Sequence, residues 1–187
     1  MRKLMVFNSV TADGYFTDKN NDMSWAHRPS DPEWDEFVAG NAESGGELLF
    51  GRVTYQMMAS FWPTDAAKKQ FPTVAEGMNS SPKVVFSRTL DQVSWENTRL
   101  IKGELADEVR KLKDEPGDHL VIMGSGSIIS QLALEKVIDE YQLVVNPIVL
   151  GAGRTIFDGI KEKLKLKLTS SRNFGNGNVL LRYQPLG

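Results

Sequence analysis

The chain has no cysteine, which excludes disulfides, thiolate metal ligands and cysteine nucleophiles from its chemistry. Histidine is almost as scarce: His27 and His119 are the only two, too few for a histidine-rich metal centre. An excess of either charge is also missing, since 22 Lys+Arg against 24 Asp+Glu leave a formal net charge of -2. Without a dense basic block or an RNA-binding aromatic motif, nucleic acid is not an expected partner. No apolar run approaches the roughly 20 residues that cross a bilayer. The opening MRKLMVFNSVTADG breaks its short apolar run at Asn8 and lacks a small-residue cleavage pattern, so it reads as a strand and not a signal peptide. These absences leave a cytoplasmic protein acting on a small molecule, with no membrane contact, as the expectation.

What is present suffices for one domain over residues 1–187, with 41% hydrophobic and 25% charged residues, ordinary values for a globular fold. Residues 2–10 read as a strand with Leu4, Val6 and Val10 on one parity. A polar and aromatic stretch follows (residues 11–30, TADGYFTDKNNDMSWAHRPS), and a loop of that length is usually functional. Asp31-Pro32 joins a capping side chain to proline at the first helical position, and Trp34, Phe37 and Val38 then make an inward stripe. Further strands are expected at residues 47–50, 83–86, 98–101, 119–123 and 141–150. Helices are expected after Gly51, in parts of 64–81 around Pro72, at 104–115 with Leu105, Val109 and Leu112 in helical spacing, and at 127–137. The tail differs: KLKLKLT (163–169) alternates strictly and NVLLRY (178–183) follows FGNGN, the pattern of an antiparallel hairpin with one polar face. Strands alternating with helices before such a hairpin imply an α/β fold with a mainly parallel central sheet and an antiparallel edge.

In an open α/β sheet, ligands sit beyond the carboxyl ends of the strands, and three corners there carry chemistry suited to a nucleotide. VIMGSGSIISQL (121–132) ends a strand in Gly124, Ser125 and Gly126 and opens into a helix. Glycines let the backbone approach a pyrophosphate, and the N–H groups and dipole of the next helix favour an anion. Ile129 stands where G-x-G-x-x-G needs its third glycine, and the corner comes late in the chain; a Rossmann domain is therefore disfavoured, and a plain tight corner competes. LLFGRVTYQMM (48–58) puts Gly51 at a strand end, with Arg52 and Thr54 at the start of a helix. Arginine grips phosphate bidentately, though a capped helix beside a solvated arginine would look the same. VVFSRTL (84–90) ends in Ser87-Arg88, a pair suited to the sugar 2′-phosphate that separates NADPH from NADH.

SVTADGYF, LLFGRVTYQMMASFWP, VIMGSGSIISQL and NPIVLGAGRTIF occur in this order along the chain. Together they resemble the dihydrofolate-reductase-like reductase domain at the C-terminus of the bifunctional riboflavin-biosynthesis deaminase/reductase, including its stand-alone relatives, from about residue 3 to residue 183. The resemblance implies a dihydrofolate-reductase-like three-layer sandwich that binds NADPH. It places Gly51, Arg52, Thr54, Ser87 and Arg88 near the adenosine and phosphates. Gly124, Ser125, Gly126, Ser127 and Ile128 would wrap the pyrophosphate, and Val10, Thr11 and Ala12 would line the nicotinamide side. Residues 14–25 would form the loop closing over the site. With no cysteine and no His-x-Glu pair, the zinc deaminase half has no counterpart here. Phe7 stands where riboflavin reductases carry a first-strand lysine, and Ala42-Glu43 where a helix arginine meets the substrate's ribose phosphate; both argue against a phosphoribosyl substrate.

Hydride chemistry belongs to the cofactor, so the protein must align the reacting ring, exclude water and bring a proton. By the same resemblance, a carboxylate on the helix after the loop delivers that proton. At roughly 100° per residue, Asp35 falls at the border of the Trp34/Phe37/Val38 stripe and Glu36 points away. Asp31 is the second candidate but also the expected helix cap, and both acids could simply complement the first-turn dipole. Trp25, His27 and Trp34 could wall a flat heterocycle or belong to the core. Arg154 could meet an anionic substrate group or brace a subunit contact; a homodimer is expected because edge strands near the C-terminus need cover. The leading expectation is an NADPH-dependent reductase of a small pyrimidine- or pterin-like heterocycle, resembling 5-amino-6-(5-phosphoribosylamino)uracil reductase. Dihydrofolate reductase is the nearest alternative, and a non-catalytic NADP(H)-binding protein the alternative of another class.

Overall fold

Parity sorts the first strand, β1 (Leu4–Thr11), onto two faces: Leu4 and Val6 are fully buried on one, while Met5 and Phe7 keep partial exposure on the other. The structure is a computed structural model that describes residues 1–26, 29 and 31–186. Five more strands run parallel to β1: β2 (Glu47–Gly51), β3 (Lys83–Phe86), β4 (Thr98–Ile101), β5 (Leu120–Met123) and β6 (Glu140–Asn146). β8 (Val179–Pro185) pairs antiparallel with β6, and β7 (Leu166–Asn173) antiparallel with β8. The order is β4-β3-β2-β5-β1-β6-β8-β7, the mainly parallel sheet with an antiparallel C-terminal hairpin that the sequence predicts.

Helices cover both faces. α5 (Leu105–Asp114) and α6 (Gly126–Leu134) bring Val109, Leu112, Ile129 and Leu132 onto the Leu4, Val6, Leu49 and Ile122 side. The other side is covered by α1 (Pro32–Ala42), α2 (Arg52–Phe61) and α4 (Pro72–Ser80), with the short α3 (Asp65–Gln70) leading into α4. There Phe50, Tyr55, Met78, Val85 and Trp95 form one cluster, and Trp34, Phe37 and Phe174 pack around Val144 in another. The result is three layers.

Local signals explain the helix starts. Asp31 caps α1 by accepting the Trp34 N–H at 2.8 Å, and Pro32 occupies the first turn. Pro72, read from sequence as a break, opens α4 in the same way. The last carbonyls of α4 are met by Lys83 at the start of β3, whose buried side chain donates through Nζ to the carbonyls of Met78 (2.9 Å), Asn79 (3.0 Å) and Ser81 (2.7 Å) above the Trp95 ring. Three acceptors and a ring face make a buried ammonium tolerable.

Several elements depart from the sequence expectation, three of them clearly. β6 stops at Asn146 and not at residue 150, because Pro147 has no N–H for the ladder. α6 stops at Leu134, and Lys136 turns the chain with φ 53. β7 is exposed along nearly its whole length, with a register shift between Leu168 and Ser170, so this strand lacks the single buried face that strict alternation suggested.

The two ends of the sheet are treated differently. At the amino-terminal end, buried Glu47 accepts from Arg2 and Arg99 at 2.8 Å each, and Lys113 lies 2.6 Å from Asp139. Charges there are paired off. At the carboxyl end they face a cleft. Among the described residues, no helix is long and apolar enough to cross a membrane.

Candidate functional site

A cleft of about 410 Å³ opens at the carboxyl ends of β2, β3, β4 and β5, a size typical of small-molecule sites. α2, α5 and α6 all begin at it, and none has a side-chain cap. Their first N–H groups and positive dipole ends are thus presented to an anion. Among the described residues, its lining carries three arginines, Arg52, Arg88 and Arg154, against the single carboxylate of Glu104.

Hydrogen bonds tie two of the corners into one unit. Gly124 (φ +61) and Ser125 (φ 59, ψ 51) are consecutive left-handed residues, a conformation that costs a serine about 1–2 kcal/mol. Three side chains hold it. The Ser125 N–H donates to Thr54 Oγ1 at 3.1 Å, the Gly51 N–H to Ser125 Oγ at 2.9 Å, and the Gly124 N–H to Asn8 Oδ1 at 2.6 Å. A Cβ on Gly124 would stand 2.9 Å from the Thr54 methyl, so the approach is as close as it can be. The N–H groups of Gly51, Gly124 and Ser125 are consequently used inside the protein. A ligand would meet the first turns of α2 and α6 instead.

The segment after β1 closes one wall. Thr17 and Arg154 form an isolated antiparallel bridge, with the Phe16 N–H donating to the Arg154 carbonyl at 2.9 Å and the Arg154 N–H to Thr17 at 3.1 Å. A Cβ on Gly153 would fall 2.1 Å from the Thr17 carbonyl oxygen, so only glycine fits. Arg154 donates to Asn21 Oδ1 at 3.2 Å and lies 5.9 Å from the Phe16 ring centre. Asp13 fastens the base of this wall: it accepts from Thr11 Oγ1 at 2.6 Å and from the Gly151 N–H at 2.7 Å. The Thr11 bond, above all, holds its carboxyl below the usual carboxylate range. The Asp13-Gly14 pair thus forms a turn, with the Gly14 N–H donating to the Thr11 carbonyl at 2.9 Å.

Of the residues expected from sequence, Gly51, Arg52, Thr54, Ser87, Arg88, the Gly124–Ser125–Gly126–Ser127–Ile128 run and Arg154 all line the one cleft. Val10 and Thr11 end β1 and Ala12 follows it, all outside the lining: Val10 and Thr11 are buried, and the Ala12 N–H donates to the Ile148 carbonyl. Asp31 and Asp35 stand at the start of α1, outside the lining of the cleft, with Asp31 engaged as the cap and Asp35 exposed. Trp34 packs edge-on against Phe174 in the core. Trp25 stands in a single helical turn, Ser24–Ala26, with its indole N–H buried and unpartnered. His27 lies outside the described residues.

A second, smaller pocket of about 110 Å³ lies between α1, α4 and the sheet, lined by Met5, Phe7, Val38, Met78 and Met123 with His119 at one end. Met123 lines this pocket and the next residue, Gly124, lines the cleft. The end of β5 thus contributes to both cavities.

Sequence reading missed several participants. Asn8 interrupts an apolar strand on its buried parity, and that interruption was the available signal for a polar task. Met23, Val53 and Met57 on the cleft wall, like Asn21, had no distinguishing pattern. Glu104 resembled an ordinary acid at a helix start, yet it pairs with Arg88.

Comparison with known proteins agrees with this picture. The model of the RibD C-terminal domain matches residues 2–180. The uncharacterized protein YyaP of Bacillus subtilis (strain 168) is 27% identical over 182 residues, spanning 97% of this chain and 94% of that protein. A putative riboflavin biosynthesis protein from Shewanella sp. PV-4 superposes with a TM-score of 0.79 at 25% identity, covering 99% of each chain. An Enterococcus faecalis dihydrofolate reductase, solved as a complex with NADP(H), shares the fold alone, with a TM-score of 0.66, 13% identity, and coverage of 99% of this chain and 97% of that one.

Proposed function

The chain belongs to the RibD C-terminal domain family, and from that premise we propose that it is a reductase using a nicotinamide dinucleotide, NADPH first, to reduce a small pyrimidine- or pterin-like heterocycle. One observation carries the reading: three uncapped helix starts and three arginines converge on a single cleft at the carboxyl ends of the strands. That donor set fits a ligand with several negative charges.

When bound, such a cofactor supplies the hydride. The chain's own residues supply the rest. The first turns of α2 and α6, with Arg52, hold the diphosphate, and Ser87 and Arg88 take the adenosine end. Phe16, Met23 and Met57 keep water from the cleft. The end of β1, from Val10 to Ala12, backs the nicotinamide end. The flat substrate ring enters the smaller pocket beside Met123, whose three methionines adapt to shape. Asp35 is the carboxylate we assign to the proton, since it stands about one helical turn before Val38 of the smaller pocket while Asp31 is held as a cap.

One observation favours a second reading, a binding protein without turnover: among the described residues, Glu104 is the only acid lining the cleft. Steady-state loss of reduced nicotinamide absorbance with a panel of pyrimidines, pterins and dihydrofolate separates the readings. Oxidation with a pyrimidine or pterin supports the reductase. Methotrexate-sensitive oxidation with dihydrofolate alone makes the protein a dihydrofolate reductase. Tight binding without oxidation by any compound establishes the binding protein, and no binding removes all of them.

A further inference from the structure

The adenosine end of the cleft contains a contradiction that the sequence did not show. Arg88, the cation suited to a 2′-phosphate, forms an ion pair with Glu104, and both side chains are largely exposed, at 70% and 74%. Glu104 is the residue before α5 and lines the cleft next to Gly103, while Ser87 and Arg88 line it from the end of β3. β3 and β4 are hydrogen-bonded neighbours, so the two corners share one patch of rim. Ser87 is occupied in part, its hydroxyl oxygen accepting the Leu90 N–H at 3.0 Å and the Thr89 N–H at 3.2 Å. Arg52 is elsewhere, at the start of α2, with its guanidinium on Gln56 at 3.3 Å.

The two partners have opposite preferences. A carboxylate beside the ribose accepts a hydrogen bond from an unmodified 2′-hydroxyl, whereas an arginine accommodates a 2′-phosphate. A 2′-phosphate brought to Arg88 must stand next to the Glu104 charge, and like charges held together lower affinity. Resting on the cofactor reading given above, we propose that Glu104 is the residue that sets coenzyme selectivity, restraining Arg88 so that the cleft favours NADPH over NADH by less than Arg88 alone would give. An exposed ion pair is weak, so a phosphate can displace Glu104 from Arg88. The pair is a bias on the choice and not a block.

Calorimetric titration of adenosine 2′,5′-bisphosphate and of 5′-AMP isolates this end of the site from the nicotinamide and from any substrate. Glu104→Gln raises the preference for the bisphosphate over AMP by up to about fivefold, and high salt erodes the gain because the repulsion it removes is screened. Arg88→Gln lowers the same preference. If wild type binds both nucleotides and Glu104→Gln leaves their ratio unchanged, the selectivity role is wrong while the cofactor reading stands. If wild type binds neither these fragments nor either intact dinucleotide, the cofactor reading falls and takes this inference with it.

Discussion

Replacing Thr54 by valine tests whether the two corners act as one preformed cradle. Valine keeps the methyl that meets Gly124 and substitutes a second methyl for the hydroxyl that accepts the Ser125 N–H at 3.1 Å. Ser125 is only 7% exposed, so its N–H is left without a partner where water reaches it poorly. An orphaned donor of that kind costs about 1–3 kcal/mol, and at this chain length each kcal/mol lowers Tm by about 2–4 °C. Ser125 also loses one of the bonds that keep it left-handed, so the start of α6 must be ordered again on binding. That lost preorganisation is expected to weaken dinucleotide affinity by about tenfold, or about 1.4 kcal/mol. Thr54→Ser restores the acceptor and should recover the affinity even where some packing is lost. Urea unfolding and calorimetry on the three proteins measure both quantities. If Thr54→Val binds NADPH as tightly as wild type, the cradle does not depend on this bond and the reasoning fails.

Other perturbations follow from the same geometry. Gly153→Ala drives a Cβ into the Thr17 carbonyl, so Tm should fall and protease should cut residues 14–25 faster; an unchanged digestion pattern would show that the bridge to Arg154 is not needed. Asp35→Asn should cut kcat by about a hundredfold or more and leave NADPH affinity unaltered, whereas full activity would remove Asp35 from proton delivery. Burial pulls Lys83 from 10.5 down to about 8, with the Glu96 charge opposing in part. Between those values the unfolded chain holds more protons than the folded one, so wild type should gain up to about 3 kcal/mol of stability as pH rises through that window. Lys83→Met should lack the slope in denaturant titrations at neutral and alkaline pH, and parallel curves would mean that the three carbonyls keep the ammonium charged throughout.

Much of the architecture was legible because its causes are local. The edges of β3 and β4 match the sequence reading residue for residue, since short apolar runs there are bounded by turn residues. Asp31-Pro32 announced α1, and each of the three corners carries a glycine or a serine-arginine pair that marks the end of a strand. What stayed hidden depends on contacts between distant residues. The loss of the Gly51, Gly124 and Ser125 N–H groups to Ser125, Asn8 and Thr54 brings together positions up to 116 residues apart. Arg88 looked like a free phosphate ligand until Glu104, from the next strand's corner, was found on it. The placement of α1 outside the lining of the cleft likewise follows from the packing of Trp34 and Phe37 on Phe174 and Val144, which periodicity alone does not reveal.

The central claim is that one rim of the sheet holds a multiply charged nicotinamide dinucleotide. Titration of NADPH into the full chain, read by calorimetry and by the melting curve, tests it most directly. The account predicts one site per chain, affinity that falls with salt, and a stabilisation of about 2.7 kcal/mol when ligand reaches a hundred times Kd. No heat and no change in melting temperature with either NADPH or NADH would contradict it.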